Sequence, residues 1–152
     1  MRFTVWLGGN GHNVRRRVVR AGHGWSPLLM SAEAAATTRT SVLSSPAQLK
    51  DAIHELHEML VAAGRDPAVV DVQVQSAHSD FLSDAGTSLE EHRHHLGELA
   101  EAGVTWFVVR TPGEDVDAAR DALAAYGRDV IRVVLGLTEQ LSPTEGHLRA
   151  DP

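Results

Sequence analysis

The 152-residue chain reads as an α/β protein built on a parallel sheet covered by helices. Strand-like and helix-like segments alternate four times along it. The strand-like segments are short and apolar with little polar alternation, as in strands covered on both faces. The helical segments carry their own start and stop signals. Apolar residues at 43% and charged residues at 22% are globular values, which excludes wholesale disorder, and the length suits one domain with a sizeable core. A formal charge of −6 argues against a nucleic-acid partner. The absence of cysteine excludes disulfides, thiolate metal sites and cysteine nucleophiles. The opening apolar run is only five residues before Gly8 and Gly9, too short for a signal segment or a membrane span. The expectation is a soluble, cytoplasmic protein with no membrane partner.

The first strand is expected at 4–7 and stops at Gly8, Gly9, Asn10 and Gly11, residues that favour turns and tolerate positive φ. From Asn13 the period becomes helical, with Val14, Val18 and Ala21 on one face and Arg16 and Arg20 opposite. A strand, a glycine turn and a helix start aim backbone N–H groups and the helix dipole at one point, a place suited to an anion such as phosphate. A second strand opens near Gly24 and Trp25. Residues 28–45 then read as a long connection with one helical turn, a candidate lid.

Ser45, Pro46 and Gln48 form a helix-start signature, and Leu49, Ile53, Leu56, Leu60 and Ala63 step along one stripe to a stop at Gly64. A strand is expected at 69–74, followed by a polar loop at 76–87. Ser88 and Glu91 open a third helix whose apolar side is Leu89, Leu96, Leu99 and Ala100. VTWFVV at 104–109 reads as a buried strand, and helices follow at 115–126 and 129–137, split by Gly127. Residues 141–152 read as a flexible tail. A closed (β/α)8 barrel needs roughly 250 residues, so the chain has room for about half of one. Four strands in an open sheet leave two edges unprotected.

The glycine turn does not match GxGxxG, since Val14 stands where the last glycine belongs, and it lacks the lysine of a P-loop. His54-Glu55-Leu56-His57 is not HExxH, because its histidines are three apart. His92, His94 and His95 offer two residues on a shared face and no third ligand. Both histidine groups are expected on solvated helix faces, and no metal site is assigned.

Trp6-Leu7-Gly8-Gly9-Asn10, the Arg- and Ala-containing helix after it, Gly22-His23-Gly24-Trp25 and the turn Ala63-Gly64-Arg65-Asp66-Pro67 together resemble a signature of the luciferase-like monooxygenase family. His23 stands where an aspartate is commoner. The resemblance spans nearly the whole chain and continues through Ala102-Gly103-Val104 into 105–109. It implies a (β/α)8 TIM-barrel fold, with residues 1–140 as the carboxy-terminal half, strands five to eight. It implies a flavin- or F420-dependent oxidoreductase acting on a small-molecule substrate, with FMN or F420 as cofactor. It further implies a truncated chain that supplies the cofactor-phosphate side, lined by Gly8, Gly9, Asn10, Gly11 and His12 with Gly24 and Trp25. Backbone N–H groups of residues 9–12 would face the phosphate, with Asn10 or Asn13 as helix cap. Trp25 reads equally as a core aromatic.

Most catalytic residues of the family lie on the first four strands, so none is assigned here. His78 and Asp80 fall after the seventh strand of the implied barrel, at its catalytic face. Arg110 reads as an ion-pair partner of Glu114 or a contact for an anionic cofactor tail. The alternative reading is a non-catalytic half-barrel that binds a phosphorylated ligand, pairs with a missing amino-terminal half, or forms a homo-oligomer through its sheet edges.

Overall fold

A computed structural model describes residues 3–84, 86–113 and 115–134. Four strands, β1 (Trp6–Gly8), β2 (Gly24–Ser26), β3 (Asp71–Val74) and β4 (Trp106–Phe107), form one parallel sheet in the order β1-β2-β3-β4. Helices α1 (His12–Ala21), α2 (Ala32–Thr38), α3 (Pro46–Ala62), α4 (Leu89–Glu101) and α5 (Val116–Tyr126) connect and follow them. A π-helical turn, Gly127–Ile131, carries α5 directly into α6 (Arg132–Val134), so Gly127 continues the helix instead of splitting it. The expected tail at 141–152 and the end of the last expected helix lie outside the described residues.

The pleat gives the sheet two unlike faces. Trp25, Val72 and Val74 point toward α1 and α3 and join Val18, Leu49, Ile53, Leu56 and Leu60 in a sealed core. Registered neighbours on the other face are Trp6, Gly24 and Asp71, then Gln73 and Trp106. A Cβ on Gly24 would stand 2.9 Å from the Trp6 ring, so only glycine lets that indole lie across β2. The ring reaches Trp106 on the far strand, with centroids 6.0 Å apart. The two indoles therefore meet across β2 and β3 on this face.

The expected buried strand at 104–109 contracts to two residues, and Trp106 is 56% exposed. Among the described residues β4 pairs with a single strand, and the Trp106 ring meets that of Trp6. Helix α3 forms as its signals require. Ser45 accepts from the Gln48 N–H at 3.3 Å, Leu49, Ile53, Leu56 and Leu60 are buried, and Gly64 turns at φ +71°. Arg65 then donates to the carbonyls of Val18, Val19 and Gly22 at 2.7–2.8 Å, capping the carboxyl end of α1. His23 Nδ1 accepts the Val5 N–H at 3.2 Å.

The segment 28–45 is pinned. Ser31 caps α2, Met30 N–H donates to Leu43 O at 2.8 Å, and Ala35 and Leu43 are buried. α4 buries His92 and Leu99, whereas Leu89 and Ala100 are exposed, so its inner face is rotated from the expected one. Among the described residues no helix is long and apolar enough to cross a membrane.

Candidate functional site

The turn between β1 and α1 is held from below, leaving its upper side open. Gly9 adopts φ +115°, a conformation that disfavours side chains, and donates its N–H to Ser26 O at 3.2 Å. Asn10 is 1% exposed. Its side-chain amide donates to Leu28 O at 2.8 Å and Ser41 O at 3.0 Å and accepts the Leu28 N–H at 2.9 Å, while its own N–H donates to Thr40 Oγ1 at 3.1 Å. Asn10 therefore rivets three segments together and does not cap α1. The N-cap is Gly11, without a side-chain hydrogen bond, so neither expected asparagine cap forms.

Two of the four backbone donors expected to face an anion, those of Gly9 and Asn10, are thus already engaged. Among the described residues the N–H groups of Gly11, His12 and Asn13 have no protein acceptor, and these are the first donors of a ten-residue helix. Gly8 ends β1 beside them. Gly24 and Trp25 sit lower, level with Trp6 and Leu7. Gly24 makes room for Trp6. Trp25 is fully buried and donates Nε1–H to Gly9 O at 2.8 Å, so the core-aromatic reading describes its side chain.

Two residues that sequence reasoning passed over complete this corner. Arg15 is 8% exposed, donates from Nη1 to Asn10 O at 2.9 Å, and lies 5.5 Å from the Trp25 ring centroid. Its Nη2 meets Glu55 Oε2 at 2.5 Å, while Glu55 Oε1 lies 2.6 Å from His12 Nδ1. Burial pushes the Glu55 carboxyl upward, but hydrogen bonds and charge from His12 and Arg15 outweigh it and hold the group below its ordinary range. Glu55 comes from α3, 40 positions beyond Arg15. Arg15 sits on the same stripe as Val18, and that i, i+3 position was the only available sign of its burial.

A second cluster forms after β3. Ser76 Oγ lies 3.0 Å from His95 Nε2 and accepts the His78 N–H at 3.2 Å. The rings of His78 and His95 stack at 4.1 Å, as do those of Phe81 and His92. His92 Nε2 lies 3.0 Å from Tyr126 Oη. His92 is fully buried, which corrects the expectation of a solvated histidine face; His94 and His54 on these helices are exposed. Burial, followed by the neighbouring imidazoles, lowers His92 and His95 to about 4, and burial raises Tyr126 to about 12. Arg110 pairs with Asp80, the residue expected at the catalytic face; Glu114 lies outside the described residues. No group of three or more potential ligands is placed to hold a metal ion among the described residues.

No protein-family model and no curated protein matches this chain.

Proposed function

We propose that the chain is the half of a luciferase-like (β/α)8 barrel spanning strands five to eight, and that the β1–α1 turn takes the phosphate of FMN or F420. The observation that carries this reading is the set of unengaged N–H groups of Gly11, His12 and Asn13 beside a carboxylate-held His12. These donors and the amino end of α1 suit a phosphate in geometry and charge. Gly8 and Gly9 keep the approach narrow and backbone-lined, while Asn10, Gly24 and Trp25 act from beneath as supports. A bound flavin or deazaflavin would supply the hydride or oxygen chemistry, and the chain's contribution would be to hold and orient its phosphate end. The four-strand parallel sheet in sequential order, with Trp6 and Trp106 meeting on one face, is compatible with the barrel register. On this reading the protein is a cytoplasmic oxidoreductase component acting on a small molecule.

The test is titration of the protein with FMN and with F420. Binding of one at micromolar strength is expected, and Gly9→Val should weaken it at least about tenfold, because a β-branched residue cannot hold φ +115° and its Cβ would meet Val14 Cγ2 at 3.2 Å. Binding of neither cofactor would end the proposal. A second reading, a non-catalytic half-barrel that binds a phosphorylated ligand and assembles as a homo-oligomer, is favoured by the 56% exposure of Trp106 on the edge strand. Dimers that bind phosphate without any cofactor-dependent oxidation would select it.

A further inference from the structure

His12 sits at the first position of α1, next to two of the unengaged backbone donors, with its side chain 56% exposed. Its Nδ1 lies 2.6 Å from Glu55 Oε1, so Nε2 is the nitrogen left for a ligand. Glu55 is itself fixed by Arg15, which is 8% exposed, reaches the turn through Asn10 O, and keeps its Nε without a partner among the described residues. The ring is therefore oriented by a carboxylate that a buried guanidinium holds still. Free backbone N–H groups bind any small oxyanion of suitable charge. An imidazole whose Nε2 is exposed does more, because it accepts a hydrogen bond when neutral and donates one when protonated. Phosphate carries a proton in the neutral range and can satisfy either form; sulfate carries none and satisfies only the protonated one.

Resting on the proposed anion site, we infer that Glu55 is a positioning residue that makes the site selective for a protonatable phosphate. Through His12 Nδ1 it presents Nε2 to a phosphoryl oxygen above the start of α1. The proton in that contact lies between Nε2 and the phosphoryl oxygen, and it comes from whichever of the two carries it. The ligand class is a phosphate monoester near its second ionisation, such as that of FMN, or inorganic phosphate, in preference to sulfate, a sulfonate or a phosphodiester such as that of F420.

The experiment measures the dissociation constants of inorganic phosphate and sulfate at pH 7 and constant ionic strength, for the wild type, His12→Phe and Glu55→Gln. Phosphate should bind about tenfold more tightly than sulfate in the wild type, the scale of one hydrogen bond to a charged group. The ratio should fall to about one in His12→Phe and at least about threefold in Glu55→Gln, with sulfate affinity little changed in either. A long-range proton–nitrogen spectrum should place the His12 proton on Nδ1 in the wild type and redistribute it in Glu55→Gln. His12 is exposed at a helix start, so its variant tests the idea even where Glu55→Gln unfolds by unpairing Arg15. Equal affinity for the two anions in the wild type, or an unchanged ratio in His12→Phe, overturns the inference while leaving the anion site standing. Binding of neither anion removes the site itself.

Discussion

Two loops at the carboxyl end of the sheet use histidine in opposite ways. After β1, His12 stands half in solvent against Glu55, with a guanidinium behind the carboxylate and unengaged N–H groups beside it. After β3, His78, His92 and His95 pack on one another and on Phe81, and burial depresses His92 and His95 to about 4. The first environment keeps charge and an open ring nitrogen available to a ligand. The second removes charge and uses the rings as aromatic packing with polar tips. Surroundings, more than residue type, separate a ligand-facing imidazole from a structural one.

The largest effect should come from removing what the first loop rests on. Trp25 fills the core under the turn, donates to Gly9 O and lies beneath Arg15. Trp25→Ala should cost about 3–5 kcal/mol of unfolding free energy, measured by urea denaturation. It should also loosen the turn, seen as faster hydrogen exchange at Gly9 and Arg15. A loss under about 1 kcal/mol would mean that the indole is not a support and would return it to the ligand-facing role.

Acid should separate the two loops by pH. His92 and His95 are lowered from 6.5 to about 4 in the folded state, so between those values the unfolded chain binds more protons. Stability then falls as pH drops from about 6.5 toward 4, by at most about 1.4 kcal/mol per pH unit for each histidine. Glu55 loses stability in the same direction, but lower on the pH scale. Its lowered carboxyl stabilises the fold above its ordinary value of 4.5, and that contribution is lost only as pH falls through the lower folded value. The limb above pH 4.5 therefore belongs to the histidines: the stacked pair, with a share from His57 on α3, which burial and then His54 also lower. His92→Phe, which retains stacking on Phe81, should make that limb shallower in thermal scans across pH 4.5–6.5. An identical slope in wild type and variant would show that the stack does not resist protonation.

The sequence made the first loop more legible than the second for a physical reason. A strand end, a run of glycines and a helix start are encoded within about ten consecutive residues, and so was α3, whose cap, Pro46 and leucine spacing are all local. The partners Arg15 and Glu55 lie 40 positions apart, and the contacts of His92 run from Phe81 to Tyr126. No periodicity reports such meetings. His92 was assigned to solvent because a run of His, Arg and Glu looks like an exposed face, and only its neighbours reveal otherwise. Residues 104–109 failed in the opposite way: their apolar run encodes a strand suited to burial, whereas β4 has one partner strand among the described residues and Trp106 stays 56% exposed. The four parallel strands were readable from the alternation of elements. The meeting of Trp6 with Trp106 was not, because it depends on the space that Gly24 leaves for the indole.

The smallest effect should be at the rim of the second loop. Arg110 and Asp80 form a two-pronged pair, and the pairing holds the Asp80 carboxyl below its ordinary range, yet both side chains are about half exposed. Water and salt screen such a pair, and the loop has a second tie in the Arg110 N–H to Ser79 O bond at 2.7 Å, which does not involve the carboxylate. Asp80→Asn should therefore leave the urea midpoint at pH 7 unchanged within error and only flatten its dependence on ionic strength. This contrasts with Glu55, where the same change of carboxylate to amide leaves a guanidinium unpaired at a site only 8% exposed. If Asp80→Asn lowers the midpoint as much as Glu55→Gln does, rim charge supports the histidine stack after all, and the division between a charged loop and a neutral one collapses.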